Sequence, residues 1–283
     1  GWDLKDGIRY IKSKTSKPFG FNALIEKGSK KYMNRMSSWI DIALEEGIRF
    51  FVTSLGKPDW VCERVHQVGG RVYHDVTNKQ WARKGIDAGI DGLICVNNRA
   101  GGHLGPSSME NLFEELSGLG KPLVCAGGIG SRIELNKAMN LGYDGVQMGT
   151  RFIATNECNT PEDWKGAIIK ASENDIVTTK RFSGVPVSVI KSDNFKSDNN
   201  WIIRTLLKSP FKHTTRTLLN IKSILYLKYL SKQKSSGNKN NKKQFYSAGK
   251  SVETIKGIDS ASILMRTLGE SLKNMDRTII HKD

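Results

Sequence analysis

The sequence predicts an α/β fold, a TIM (β/α)8 barrel that reads as lacking its first two βα units and carries a C-terminal helical subdomain. Three observations support this. Up to about residue 150, short β-branched or aromatic runs alternate with amphipathic stretches. Each of these units closes on Gly or Pro. Runs such as FFVTS and VCAGG are apolar at successive positions, as in parallel strands buried on both faces. A doubly wound open sheet is the competing architecture, and the uniform repeat with glycines at strand ends favours the barrel.

In chain order, strands are expected over 18–24, 48–54, 71–76, 92–97, 122–126 and 144–148. Helices are expected over 29–46, 58–68, 78–88, 109–116 and 131–141. After residue 150 the alternation stops. A helix over 161–172 and an extended stretch over 176–190 come next. Two basic amphipathic helices, broken near Pro210, are expected over 201–232, then a polar, flexible loop SKQKSSGNKNNKKQ. Helical pattern resumes at Val252 and runs to about Lys273 with a break over 257–260. The domain reading is 1–190 for the barrel, 191–245 for a basic helical insertion and loop, and 246–283 for a segment returning to the barrel.

The 283 residues are 38% hydrophobic and 25% charged, which excludes collagenous and broadly disordered classes. No apolar run approaches the ~18 residues of a membrane span, so stable membrane insertion is not expected. Cys62, Cys95, Cys125 and Cys158 have neither a disulfide-framework spacing nor a metal-ligand spacing. A reducing cytoplasm is the expected compartment, and core packing the expected role of Cys95 and Cys125. The net charge is +16, but residues 191–245 hold 13 Lys and Arg against 2 Asp, a net of +11. The basic excess thus belongs to one segment and not to the whole surface. The first ten residues contain no initiator Met and no signal pattern. The expectation is that the native chain supplies roughly 50 more residues for two further βα units, and that 1–283 alone is unstable or without cofactor.

Three strand ends could carry chemistry. After the fourth strand comes Asn97-Asn98-Arg99-Ala100-Gly101-Gly102-His103-Leu104-Gly105. Paired glycines let backbone approach a ligand, and a His at a barrel strand's C-terminal end can move a proton near neutral pH. The next strand ends in Ala126-Gly127-Gly128-Ile129-Gly130-Ser131, with Ser131 placed to cap a helix whose free N–H groups could bind phosphate. The last gives Gln147-Met148-Gly149-Thr150. If these two are strands seven and eight of a barrel, they stand where phosphate commonly sits. Asn22 ends the first strand and could hydrogen-bond a ring edge or a hydroxyl. Thr53, Ser54, His74 and Asp75 close the second and third strands as candidate pocket lining. His66, His213 and His281 are assigned no chemistry.

The segments PFGFN, NNRAGGHLG, CAGGIGSR and DGVQMGTRF, in this order and spacing, resemble the nitronate monooxygenase family (formerly 2-nitropropane dioxygenases), FMN-dependent TIM-barrel flavoenzymes. A further segment, YSAGKS at 246–251, is similar to one that lies beside that family's active site. The resemblance implies that Asn22 contacts the flavin and that Gly101 and Gly128, with their neighbours Gly102 and Gly127, let FMN approach the backbone. It also implies that Gln147, Met148, Gly149 and Thr150 hold the phosphate end, and that His103 is the catalytic base. The family's first-strand QAPM-like motif has no counterpart here. Where many members carry Gln seven residues before the catalytic His, this chain has Val96, with Asn97 or Asn98 as the available substitute.

The implied activity is FMN-dependent oxidation of alkyl nitronates to carbonyl compounds and nitrite with O2. The alternative is an FMN- and NAD(P)H-dependent enoyl-acyl carrier protein reductase, a family that resembles this chain in the same AGGH, AGGI and QMGT segments. An acidic acyl carrier protein would find a dock on the +11 segment. A third reading gives the basic helices to nucleic acid or an anionic membrane surface. Such helices more often pack their apolar stripe on a barrel, so a nucleic-acid partner is not expected.

Overall fold

The computed structural model describes residues 3–26, 30–180, 186–191 and 246–280, with isolated positions at 205, 209, 215, 218 and 219. The basic helices expected over 201–232 and the polar loop after them fall, apart from those positions, outside the described residues. The chain divides into two compact units that interleave in sequence.

The first unit comprises Gly1–Asn97, Gly105–Ala126 and Ala138–Gln147. It holds β1 (Phe21–Leu24), β2 (Phe50–Ser54), β3 (Arg71–Val76), β4 (Gly92–Val96), β6 (Leu123–Ala126) and β7 (Gly145–Gln147). They form one parallel sheet in the order β1-β2-β3-β4-β6-β7. All six expected strands are present, each shorter than or equal to its sequence reading. The order never reverses, so there is no switch point of the kind a doubly wound sheet requires. With right-handed crossovers, strands added in one direction place the connecting helices on one side, the arrangement of a barrel wall. Closure of the wall is not seen among the described residues, where β1 and β7 are the sheet edges.

The connecting helices are α2 (Lys30–Glu45), α3 (Asp59–Gln67), α4 (Lys79–Asp87), α5 (Met109–Leu116) and α6 (Arg132–Leu141), the last passing from the second unit into the first. Asn78 and Ser108 cap α4 and α5, their side-chain oxygens accepting from Trp81 N at 3.0 Å and Asn111 N at 3.2 Å. Gly47 and Gly142 end α2 and α6 at φ +80° and +105°, a left-handed turn that a Cβ would resist. One helix, α1 (Leu4–Lys14), was not expected. Its Ile8 is buried, and Arg9 holds Glu46 beyond the end of α2, Nε to Oε1 at 3.1 Å.

Strand register divides the sheet into two faces. Phe51, Thr53, Val72, His74, Leu93, Cys95, Leu123 and Cys125 share one and are all buried. A Cβ on Gly85 of α4 would come within 3.5 Å of the His74 ring, so this face packs on helices. On the opposite face stand Asn22, Val52, Tyr73, Asp75, Ile94, Val124 and Gln147. We call it the inner face. It is less covered, with Asn22, Leu24, Phe50 and Gln147 exposed.

The second unit comprises Asn98–Leu104, Gly127–Lys137 and Met148–Asp283. Its three-stranded sheet, β5 (Gly102–His103), β9 (Val187–Ile190) and β8 (Ile176–Thr179), is antiparallel. Helices α7 (Thr150–Ile153), α8 (Glu162–Lys170) and α9 (Ala261–Ile280) and 3-10 turns at Glu173–Asp175 and Lys250–Thr254 also belong to it. Ala154, Ile168, Ala171, Ile190, Ala248, Val252 and Ile255 form its core, with Trp164 and Tyr246 packed against them. Arg151 is buried and is satisfied by the Ala154 and Gly257 carbonyls and the Asp259 carboxylate. The helix read from Val252 is in fact a 3-10 turn and then α9, separated where the sequence breaks at 257–260.

Candidate functional site

The three strand-end motifs leave the sheet at Asn97, Ala126 and Gln147, and the residues that follow each belong to the second unit. There they meet the YSAGKS segment backbone to backbone. Lys250 N donates to the Arg99 carbonyl at 2.9 Å, and Gly249 N to Thr150 Oγ1 at 2.9 Å. A Cβ on Gly249 would lie 2.6 Å from Arg99 O and Gly101 N, and one on Gly101 would lie 2.8 Å from Gly249 N. Real Cβ atoms do not approach backbone that closely, so both positions exclude side chains. Gly128, at φ +79°, carries the Arg99 side chain over its Cα, where a Cβ would be 2.8 Å from Nε.

Gly101, Gly128 and Thr150 are therefore brought together, and their small size serves close packing of the protein on itself. The approachable backbone lies at their neighbours. Gly102, at φ +68°, and Gly149 have open space where a Cβ would project. Gly127 adopts φ +117°, and Met148 is half-buried. His103 is exposed in the two-residue strand β5, held opposite Val187 of β9. That pairing was not legible in the sequence, which showed only a Gly-rich loop. Arg99 Nη2 meets Glu173 at 2.7 Å, and Glu173 N donates to Glu253 Oε2 at 2.8 Å. Nothing in the sequence pointed to Glu173.

The helix start at Ser131 corrects one expectation. Ser131 N and Oγ both donate to Glu134 Oε2, at 2.9 and 2.7 Å, and Ile133 N donates to Ser131 Oγ at 3.1 Å. Ser131 N, just before α6, and Ile133 N within it are thus satisfied by the protein's own carboxylate and hydroxyl, so these two amides are not available to a phosphate.

Asn22 and Gln147 belong to the first unit, where register places both on the inner face, in the exposed class. Of the candidate lining residues, His74 and Thr53 turn away from that face. Thr53 Oγ1 and His74 Nδ1 are 2.8 Å apart in the helix-packed core, and burial lowers the imidazole pKa to about 4. Their role is structural. Asp75 and Ser54 face inward. Burial pushes the Asp75 carboxyl up to about 7, and its Oδ1 is buried without a hydrogen-bond partner among the described residues. Asn97 is not the expected substitute for a family glutamine, because its side chain is fully buried and donates to Cys125 Sγ at 3.6 Å on the helix-packed face. Asn98 remains. Burial also raises the Cys62 and Cys125 thiols to about 12, as expected of packing cysteines.

The family model described as nitronate monooxygenase matches residues 2–270. A Mycobacterium tuberculosis protein named (3aS,4S,5R,7aS)-5-hydroxy-7a-methyl-1-oxo-octahydro-1H-indene-4-carboxyl-CoA dehydrogenase is 27% identical over 195 residues, 68% of this chain and 53% of that protein. A Staphylococcus aureus protein named "probable nitronate monooxygenase" is 25% identical over 222 residues, 64% of this chain and 62% of that protein. The chain thus spans about half to three-fifths of the length of these curated relatives. Among solved structures, FabK from Thermotoga maritima superposes with a TM-score of 0.75 at 23% identity, covering 100% of this chain and 86% of that one. Nitroalkane oxidase from Streptomyces ansochromogenes gives 0.72 at 19% identity, covering 99% and 88%. At these identities the two structures show a shared α/β fold of TIM-barrel type.

Proposed function

Since the chain belongs to the nitronate monooxygenase family, we propose that it is an FMN-dependent oxidoreductase that oxidises alkyl nitronates to carbonyl compounds and nitrite with O2. The observation that carries this reading is the meeting, within one unit, of the Gly101, Gly128, Thr150 and Gly249 segments, with His103 held on β5 beside them in sequence. The residues fit the cofactor's chemistry. Gly102 and Gly149 present approachable backbone, which suits a phosphate group, and Gly127, Met148 and Thr150 stand beside them in sequence. Asn22 and Gln147 present amide donors and acceptors on the inner sheet face, which suits a heterocycle with both kinds of edge.

Bound FMN would supply the electron transfer between nitronate and oxygen. The chain's own residues do the rest. His103 takes the α-proton when the substrate is a neutral nitroalkane, and hydrogen-bonds the nitro oxygens when it is already a nitronate. The packed glycines fix the backbone amides in place before the ligand arrives, so little ordering is left for the binding step. The reading further places this site in a TIM barrel spanning 1–190, with 246–283 returning to it, in a cytoplasmic protein.

The test is an absorption spectrum of the purified protein, then anaerobic addition of ethylnitronate or NADPH. Flavin reduced by the nitronate alone supports the proposal. Bleaching by NADPH alone transfers it to the alternative, an enoyl-acyl carrier protein reductase, for which the same motifs and the CoA-linked relative speak. H103A is expected to lower nitroalkane turnover about 10²- to 10⁴-fold with FMN content unchanged. Equal loss of both would remove His103 from the chemistry.

A further inference from the structure

We propose that Asp75 is a substrate-binding residue whose carboxyl hydrogen-bonds the planar oxyanion of the substrate from the inner face of the sheet. The inference rests on the nitronate reading above and names the group that recognises that substrate's charged head.

The argument is one of position first. Asp75 sits one residue before the C-terminal end of β3, where barrel folds place ligand contacts. Its register neighbours on the same face in the strands that follow are Ile94, Val124 and Gly145, none of them polar at the side chain, and the inward-facing Ser54 ends β2 on its other side. Two residues earlier on the same face, the Tyr73 ring lies across Gly92 and meets Phe50 edge-on at 5.2 Å, an aromatic floor. A polar group above an apolar floor is the common form of a small-molecule site.

Satisfaction comes second. Asp75 is half-buried, and its Oδ1 is enclosed without a hydrogen-bond partner among the described residues. A buried polar atom left so is costly, and native proteins keep few of them. Asp91 and Asp144, by contrast, each accept a backbone N–H, from Val72 and Leu123, at 2.7 Å. Asp75 has been given no such role in holding the fold. Burial, the cause of its raised pKa, shifts the carboxyl toward its protonated form. A neutral acid can donate to a nitronate oxygen, where an ionised one would repel it.

The experiment compares wild type, D75V and D75N, all loaded with FMN, using isobutyrate, the planar carboxylate isostere of 2-propylnitronate. Isobutyrate affinity is read by calorimetry, FMN affinity by fluorescence and stability by thermal melting of the apoprotein. D75V puts a smaller apolar side chain in place of the carboxyl and loses the hydrogen bond. It is expected to bind isobutyrate at least about fivefold more weakly, to bind FMN as wild type does, and to melt no lower. D75N, which donates from its amide, is expected to stay within that factor. A D75V affinity within about fivefold of wild type overturns the inference. So does a D75V apoprotein that melts lower, a parallel loss of FMN affinity, an equal loss in D75N, or a wild type that takes FMN but no isobutyrate. A wild type that takes no FMN overturns the flavin reading itself, and this inference with it.

Discussion

His74 and Asp75 are adjacent in β3 and point to opposite faces of the same sheet. On the helix-packed face, His74 is buried and satisfied by Thr53, and burial holds its pKa at about 4. On the inner face, Asp75 is buried at Oδ1, which has no hydrogen-bond partner among the described residues, and burial holds its pKa at about 7. Desolvation disfavours the charged form of both, so one sheet shifts a base and an acid toward their neutral forms by the same means. The difference lies in the partner. The first face completes its hydrogen bonds internally, as a structural core does. The second leaves one open.

The largest effect that would sharpen this contrast is expected from G92A. A Cβ there would stand 2.4 to 2.7 Å from three atoms of the Tyr73 ring, on the inner face, and the ring is already packed on Phe50. A cost of about 2–3 kcal/mol is expected from overpacking. Denaturant unfolding would measure it, with Y73A in the same chain expected to recover most of it. Full cost without recovery would mean that Tyr73 is not the obstacle.

T53V should follow, at about 1–2 kcal/mol, because it removes the partner of a buried imidazole nitrogen while keeping the side chain's shape. Under the same unfolding assay D75V should cost nothing. Should T53V prove neutral and D75V costly, the assignment of the two faces would be reversed.

The smallest effect is in the pH dependence of stability. His74 has its folded pKa depressed from 6.5 to about 4, so between those values the unfolded chain binds more protons, and stability is lost as pH falls through that window. Asp75 has its folded pKa raised from 3.8 to about 7. There the folded chain holds the extra proton, and stability is lost as pH rises. The two slopes oppose each other in wild type. D75V leaves His74 alone, and its melting temperature should rise more steeply from pH 4 to 6.5 than the wild type's. Parallel curves would show that Asp75 does not titrate in that range.

Much of the first unit was legible because its signals are local. A strand with two buried faces is written as an apolar run, and a helix end as a glycine, each within a few residues. The six strands and five connecting helices follow from that, and their monotonous order points to a barrel wall over a doubly wound sheet. α1 was missed although Leu4, Ile8 and Ile11 fall on one helical face, because a single short stripe has no neighbouring repeat to support it. The site was legible as motifs and not as an arrangement. The sequence marked Gly101, Gly128, Thr150 and the 246–251 segment, but not that Gly101 is small because Gly249 passes within contact of it.

By itself, then, the sequence determined the six parallel strands, the five helices that connect them and the three glycine-bearing strand ends, all of which depend on residues close together in the chain. Only the tertiary structure decided that His103 pairs with Val187, that Ser131 and Glu134 satisfy the amides of Ile133 and Ser131, and that Thr53 answers His74 while among the described residues nothing answers Asp75 Oδ1. Each of these is a question of which distant group fills a hydrogen bond or a van der Waals space. Residue type states what a group needs, and packing alone states whether it is supplied.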